Sequence, residues 1–180
     1  MPLTTFFEQT WQITGSLGSK LARVLLLACL CWLEISSLST ETFAKEQVNY
    51  SNAEMSGKIF RYEDLQGGNF VSANLRGSDF QKANLMGATL SKCNLAGANL
   101  QGANLSAALL DLANLEHANL KNANLSGVIA SRADWFEVEI TGADFSDAIL
   151  DRSAIIYLCQ RAEGSHPETG LTTRETLGCR

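Results

Sequence analysis

Apolar residues recur every fifth position along residues 46–150. Taking the Leu or Phe of each unit as its centre, centres run from Tyr50 to Leu150 without an insertion, 21 in all. Twelve are Leu, four are Phe (60, 70, 80 and 145), and the rest are Tyr50, Met55, Ala130, Trp135 and Ile140. Ala stands two residues before the centre in 13 of the 21 units. The residue between is usually polar, with Asn at 49, 69, 74, 84, 94, 99, 104, 114, 119 and 124.

This period suits neither regular element. On an α-helix five residues turn about 500°, so the Leu residues would spiral around the axis and form no stripe. In one long strand an odd period would place alternate Leu on opposite faces. The pattern therefore predicts a very short extended piece followed by a corner, repeated in every unit. Ala and Leu, two apart, then point inward together and the other three residues point outward. Gly at 67, 77, 87, 97, 102, 127 and 142 lies two after a centre, where a corner favours it.

The triplet Ala-Asn-Leu, unbroken at 73–75, 83–85, 98–100, 103–105, 113–115, 118–120 and 123–125, resembles the signature A-(D/N)-L-x-x of the pentapeptide-repeat family. The resemblance covers residues 46–150 in one register. It implies an all-β solenoid, a right-handed quadrilateral β-helix with four pentads per coil and about five coils, in which residues 20 apart stack one β-spacing from each other. The expected columns are Leu85, Leu105, Leu125 and Phe145; Leu75, Leu95, Leu115 and Trp135; and Phe60 on Phe80, followed by Leu100, Leu120 and Ile140. Around Ala130 a small centre precedes the largest, Trp135, with Val128 and Val138 at Ala-type positions. Volume compensation or a local bulge would accommodate them.

The flanks divide the chain into three parts. Residues 1–44 read as a cleavable export signal: Lys20 and Arg23 precede an apolar run from Val24 to Leu33, and Thr42-Phe43-Ala44 offers a small-x-small cleavage site. An uncleaved anchor or a cytoplasmic amphipathic segment is the alternative, and contact with a membrane is expected only through that segment if it is uncleaved. Residues 46–150 form the repeat. In residues 151–180 the stretch from Ser153 to Ala162 predicts a short apolar helix, His166-Pro167-Glu168-Thr169-Gly170 a turn, and Thr172 or Thr173 the cap of a last helical turn through Glu175. A solenoid needs its last coil covered, so this part is expected to be a helical cap. The strings Tyr157-Leu158-Cys159 and Thr173-Arg174-Glu175-Thr176-Leu177-Gly178-Cys179 resemble the tails of pentapeptide-repeat proteins from the thylakoid lumen. That resemblance implies a lumenal protein whose cap is tied by a disulfide between Cys159 and Cys179. An exported chain with two cysteines outside its repeat suits the same expectation.

At the first coil, Lys58 and Glu63 stand where Ala is usual and are expected to snorkel from the open end, paired with one another. Cys93 at an inward position reads as a buried, inert thiol. Neither His117, beside Glu116, nor His166, in a turn, belongs to a metal-ligand spacing. No nucleophile has a histidine in repeat register, and no phosphate-cradling loop is present. Asp134, Glu139 and Asp144 fall on successive faces and read as solvated surface. No enzyme and no cofactor is expected. The formal net charge of −5 argues against unselective nucleic-acid binding.

Two non-enzymatic functions remain open. One is a structural or interaction module in the thylakoid lumen or periplasm, engaging a protein partner or a second copy of itself. The other follows the cytoplasmic members of the family that resemble DNA and inhibit gyrase. DNA mimicry needs rows of carboxylates, whereas the positions before the centres hold ten Asn against four Asp and two Glu. Where the module would make contact is suggested by a break in that same pattern. Leu109, Ile129 and Ile149 replace Asn or Asp at positions 20 apart, with Leu112 close by, and would form an aliphatic stripe. The alternative is that Ile155, Ile156 or Leu158 folds back and covers it.

Overall fold

The structure, a computed structural model, describes residues 47–180; the expected export signal lies outside them. Hydrogen bonding explains why five residues suffice for a side of the coil. In the unit centred on Leu100, Asn99 N–H donates back to Ser78 O (2.9 Å), while Leu100 N–H and Gly102 N–H donate forward to Asn119 O (2.8 Å) and Lys121 O (2.9 Å). Ala103 N–H closes a turn on Leu100 O (3.0 Å). The fifth donor, Gln101 N–H, goes to the Asn99 side chain, Oδ1, at 3.3 Å. Every backbone donor of the pentad is paired, which a buried backbone requires.

The turn is type II, with its second central residue at positive φ. That conformation recurs at each corner from Asn52 to Asp147, and 12 of those residues are not glycine, among them Lys82 (φ 56), Leu112 (φ 60) and Arg132 (φ 57). A left-handed conformation costs a non-glycine residue about 1–2 kcal/mol, so the corners are held by the ladder and the buried centres on either side. Glycine relieves the cost without being required.

Parallel pairing links residues 20 apart, from Asn49 with Asn69 through to Asn124 with Asp144. Almost all of these are single bridges, because a corner follows after three extended residues. Among the described residues only β1 (Ile129–Ala130) and β2 (Ile149–Leu150) reach two consecutive pairs, and they pair in parallel, Ile129 with Ile149 and Ala130 with Leu150. The centres fill the interior: Leu75, Leu85, Leu95, Leu105 and Leu115 have no exposed surface. Phe60 lies flat on Phe80, with centroids 4.7 Å apart and planes 9° apart. The 20-residue register continues past Ala130, as Asn114 pairs with Asp134, so the size change there is absorbed by side chains and not by a bulge. Trp135 meets Phe145 edge-on at 6.0 Å.

The two ends are finished differently. At the first, Tyr50, Phe60, Phe70 and Phe80 make an aromatic cluster. Gly68 stands at an Ala-type position there because a Cβ would lie 2.8 Å from Phe70 Cε2 and 2.9 Å from Leu65 O. Lys58 and Glu63 are exposed, and the ion pair at this end joins Arg61 to Asp79.

At the other end, segment 151–180 supplies acceptors that a further coil would have offered. Arg132 N–H donates to Asp151 Oδ2, Glu137 N–H to the Tyr157 hydroxyl (3.0 Å), Gly142 N–H to Glu163 O (2.8 Å) and Phe145 N–H to Thr176 Oγ1 (3.1 Å). These donors would otherwise form an open β-edge. Helix α1 (Arg152–Cys159) is shorter than the predicted 153–162, since the chain must turn at Gln160 to bring Glu163 over Gly142. Helix α2 (Thr173–Thr176) starts at Thr172 in a capping box with Glu175. Leu158 and Leu177 from this segment join the buried cluster of the coils.

Candidate interaction face

The position before each centre decides how a corner is finished. Where it is Asn or Asp, the side chain accepts the N–H two residues on, as in Ser106 N to Asn104 Oδ1 (3.1 Å) and Ser126 N to Asn124 Oδ1 (2.9 Å). The Asn amide also donates to its neighbour one coil earlier: Asn104 to Asn84 (3.3 Å), Asn84 to Asp64 (2.9 Å), Asn119 to Asn99 (3.3 Å). Asn84, Asn99, Asn104, Asn119 and Asn124 are half-buried and work as corner caps, a role that goes beyond the outward-facing polarity read from the sequence. Their restriction to Asn, Asp and a few Glu, instead of any polar type, was the available signal.

One face departs from this scheme. Its row runs Asn49, Asn69, Thr89, Leu109, Ile129, Ile149, each bridged to the next. The last three cannot cap a corner. Ser131 N–H, the one Ile129 leaves uncapped, is capped instead from one coil away by Asp111 Oδ1 at 3.1 Å. Leu109 and Ile129 are half-buried, while Ile149 is 56% and Leu112 41% exposed. Leu158 enters the core and Ile156 is itself 56% exposed, so the C-terminal segment leaves Ile149 in solvent.

Cys159 and Cys179 are joined by a disulfide that closes a span of 20 residues, with Arg174 Nη1 donating to Cys159 O at 3.0 Å. The bond lies in the C-terminal segment and contributes no atom to the aliphatic row. Cys93 is free and buried, and burial pushes its thiol up to about 12, so it carries no thiolate at neutral pH. His117 is exposed on another face, 3.0 Å from Glu137 and 3.6 Å from Glu116.

Asp144 and His166, read from the sequence as surface and turn residues, are 2% and 3% exposed. Segment 151–180, to which His166 belongs, covers Asp144, and that burial depends on a tertiary contact which no local pattern encodes. Burial alone would raise the Asp144 carboxyl. The Ser146 hydroxyl and amide, Thr169 and the nearby His166 outweigh it and bring it below the usual range.

A coil of four short sides with parallel 20-residue pairing defines a β-helix solenoid. The pentapeptide repeats family matches residues 60–91, 88–127 and 118–153, in eight copies. The chain belongs to the pentapeptide-repeat family. It is similar to the crystal structure of a pentapeptide repeat protein from the Arabidopsis thaliana thylakoid lumen, at 38% identity and a TM-score of 0.72, over 73% of this chain and 91% of that one. A pentapeptide repeat protein from Nostoc shares 30% identity with a TM-score of 0.51, over 58% and 86% of the two chains. These neighbours make the solenoid a right-handed β-helix. The chloroplastic thylakoid lumenal protein TL20.3 of Arabidopsis thaliana is 51% identical over 41 residues, 23% of this chain. The matched stretch spans only 15% of that relative's length.

Proposed function

We propose that this chain is a non-enzymatic interaction module of an exported compartment, the thylakoid lumen. In this reading residues 1–44 are a removable signal, residues 46–150 wind about five coils, and residues 151–180 cap the last one under the Cys159–Cys179 disulfide. Lumenal relatives and an apolar N-terminal run support the compartment. The face of Leu109, Leu112, Ile129 and Ile149 docks a protein partner.

One observation carries the reading. On three consecutive coils the side chain that elsewhere caps a corner is replaced by hydrocarbon, and at Ser131 the lost cap is supplied by Asp111 from one coil away. A contiguous apolar row on a soluble rod marks a contact surface. Such a rod offers a flat, rigid platform, so little conformational entropy is lost on binding.

The test is a photo-crosslinking side chain at position 112, used in the native compartment. A discrete protein adduct is expected, and Leu109→Asn with Ile129→Asn should remove it while the chain keeps its fold. An adduct consisting of two copies of this chain would identify the partner as itself. An adduct pattern unchanged by the double substitution overturns the docking face.

A further inference from the structure

The first coil keeps backbone groups that the interior coils use. Phe60 N–H donates to Asp79 O (2.7 Å) and Asp79 N–H to Lys58 O (2.8 Å), which ties Lys58 and Phe60 to the second coil. Ile59 lies between them, and successive residues of an extended chain turn their N–H and C=O to opposite edges. Those of Ile59 therefore face away from the second coil, toward the open end. Met55 N–H on Asn74 O (2.8 Å) and Asn74 N–H on Ala53 O (2.9 Å) place Glu54 in the same way. Tyr50 N–H on Asn69 O (2.7 Å) and Asn69 N–H on Val48 O (2.9 Å) do so for Asn49. Among the described residues none of these outward backbone groups meets a partner. An open β-edge of this kind is a template for pairing.

The shape of the edge selects what can cover it. With residues 1–44 removed, only Lys45 and Glu46 precede the described residues, too few to line one five-residue side. An ordinary strand runs straight on and would match a single side. Short extended pieces joined by corners are offered by another coil of the same kind. The last coil of a second copy is already closed by residues 151–180, through Asp151, the Tyr157 hydroxyl and Thr176 Oγ1. That leaves the first coil of a second copy. Two such coils related by a two-fold axis run antiparallel, and residues with both N–H and C=O turned outward are those that exchange paired bonds across an antiparallel seam.

The side chains suit the same arrangement. Lys58 and Glu63 stand on adjacent sides of the coil, both are exposed, and among the described residues neither makes an ion pair. A two-fold axis through the corner between them sets residues 56–60 of one copy against residues 61–65 of the other. Lys58 of each copy then lies beside Glu63 of the other, and Glu54 lies opposite Asn49. Tyr50 and Met55, half-buried at the open end of the core, would be covered. We propose that the mature chain forms a two-fold dimer through its first coil, with the backbone groups of Asn49, Glu54 and Ile59 paired across the seam and Lys58 beside Glu63 of the second copy. This rests on the reading of residues 1–44 as a removable signal. It does not depend on the docking face, since Leu109, Leu112, Ile129 and Ile149 belong to later coils.

The test uses the mature chain recovered from its native compartment, with an intact mass to read whether residues 1–44 are gone. Sedimentation over a range of concentrations should show monomer passing to dimer and to nothing larger. Lys58→Glu should weaken the dimer about tenfold, and Lys58→Glu combined with Glu63→Lys should restore it. Ile59→Pro, which deletes an N–H that the coil itself does not use, should abolish the dimer while the β-signature persists. Leu109→Asn with Ile129→Asn should leave it unchanged. A mature chain that stays monomeric, a dimer insensitive to Lys58→Glu and Ile59→Pro, or a different protein held on this edge overturns the proposal. A recovered chain that retains residues 1–44 overturns the removable signal and the proposal with it.

Discussion

The face of Asn84, Asn104 and Asn124 and the face of Thr89, Leu109, Ile129 and Ile149 share one interior and differ in their outer layer. On the first, each corner is closed by its own pentad, and the amides of Asn84 and Asn104 reach the coil before. On the second, the corner after Ile129 is closed by Asp111 from the coil before, and hydrocarbon is displayed. The difference teaches that the corner cap is a separable part of the repeat, which one face can give up while its neighbours hold the ladder.

The largest effects should come from the shared interior. Leu105→Ala and Leu110→Ala, one centre on each face and both fully buried, should each cost about 2–5 kcal/mol in denaturant melts. Leu65→Ala should cost less, because it lies closer to the first coil. A large gap between Leu105→Ala and Leu110→Ala would show that the faces differ in their cores as well. Breaking the Cys159–Cys179 bond should rank next. Closing a loop of this length contributes about 3 kcal/mol in the chain-entropy model, so Cys159→Ser should make the segment after Asp151 protease-sensitive while the coils keep their β-signature.

Exchanging outer residues tests the comparison directly. Asn104→Leu strands Ser106 N–H and breaks the bond to Asn84, and should cost about 1–2 kcal/mol. Ile129→Asn, in a unit whose corner Asp111 already closes, should leave stability within about 0.5 kcal/mol. Equal costs would mean that the two faces are closed in the same way.

Acid should bring the smallest change, and on the carboxylate-capped corners first. Glu139 is held below its usual range by the Thr141 hydroxyl and amide, and Asp79 by Arg61. A carboxyl depressed in the folded state stabilises it above the ordinary value and loses that contribution as pH falls through the folded one, here below about pH 4. Amide exchange at Thr141 and Gln81 should accelerate there before that of Gln101, whose cap is the non-titrating Asn99.

The period of five made the short extended pieces and their corners legible, and the columns came from the resemblance to the pentapeptide-repeat family, which implies four pentads per coil. Phe60 on Phe80 and Leu109 beside Ile129 follow from that period and a four-sided coil. The corner caps were not seen, because an Asn that bonds its own backbone and an Asn that meets water look alike in a hydropathy pattern. Asp144 is buried, contrary to the solvated surface its pattern suggests, since residues 151–180 cover it from outside the repeat, whereas His166 lies in its expected turn. Helix α1 stops earlier than its apolar run suggested, as Glu163 is drawn to Gly142 by a donor on the last coil.

Pairing at a separation of 20 in a coil of four sides makes the rod behave as a four-position dial. Inserting one whole coil lengthens it and returns every later residue to its own column. Inserting a single pentad between Ile129 and Ile149 would turn everything beyond it by one side, carrying Ile149 and α1 round the corner while every interior contact remained of the same kind. Pentads added one at a time therefore steer what the rod presents, and pentads added four at a time set only its reach.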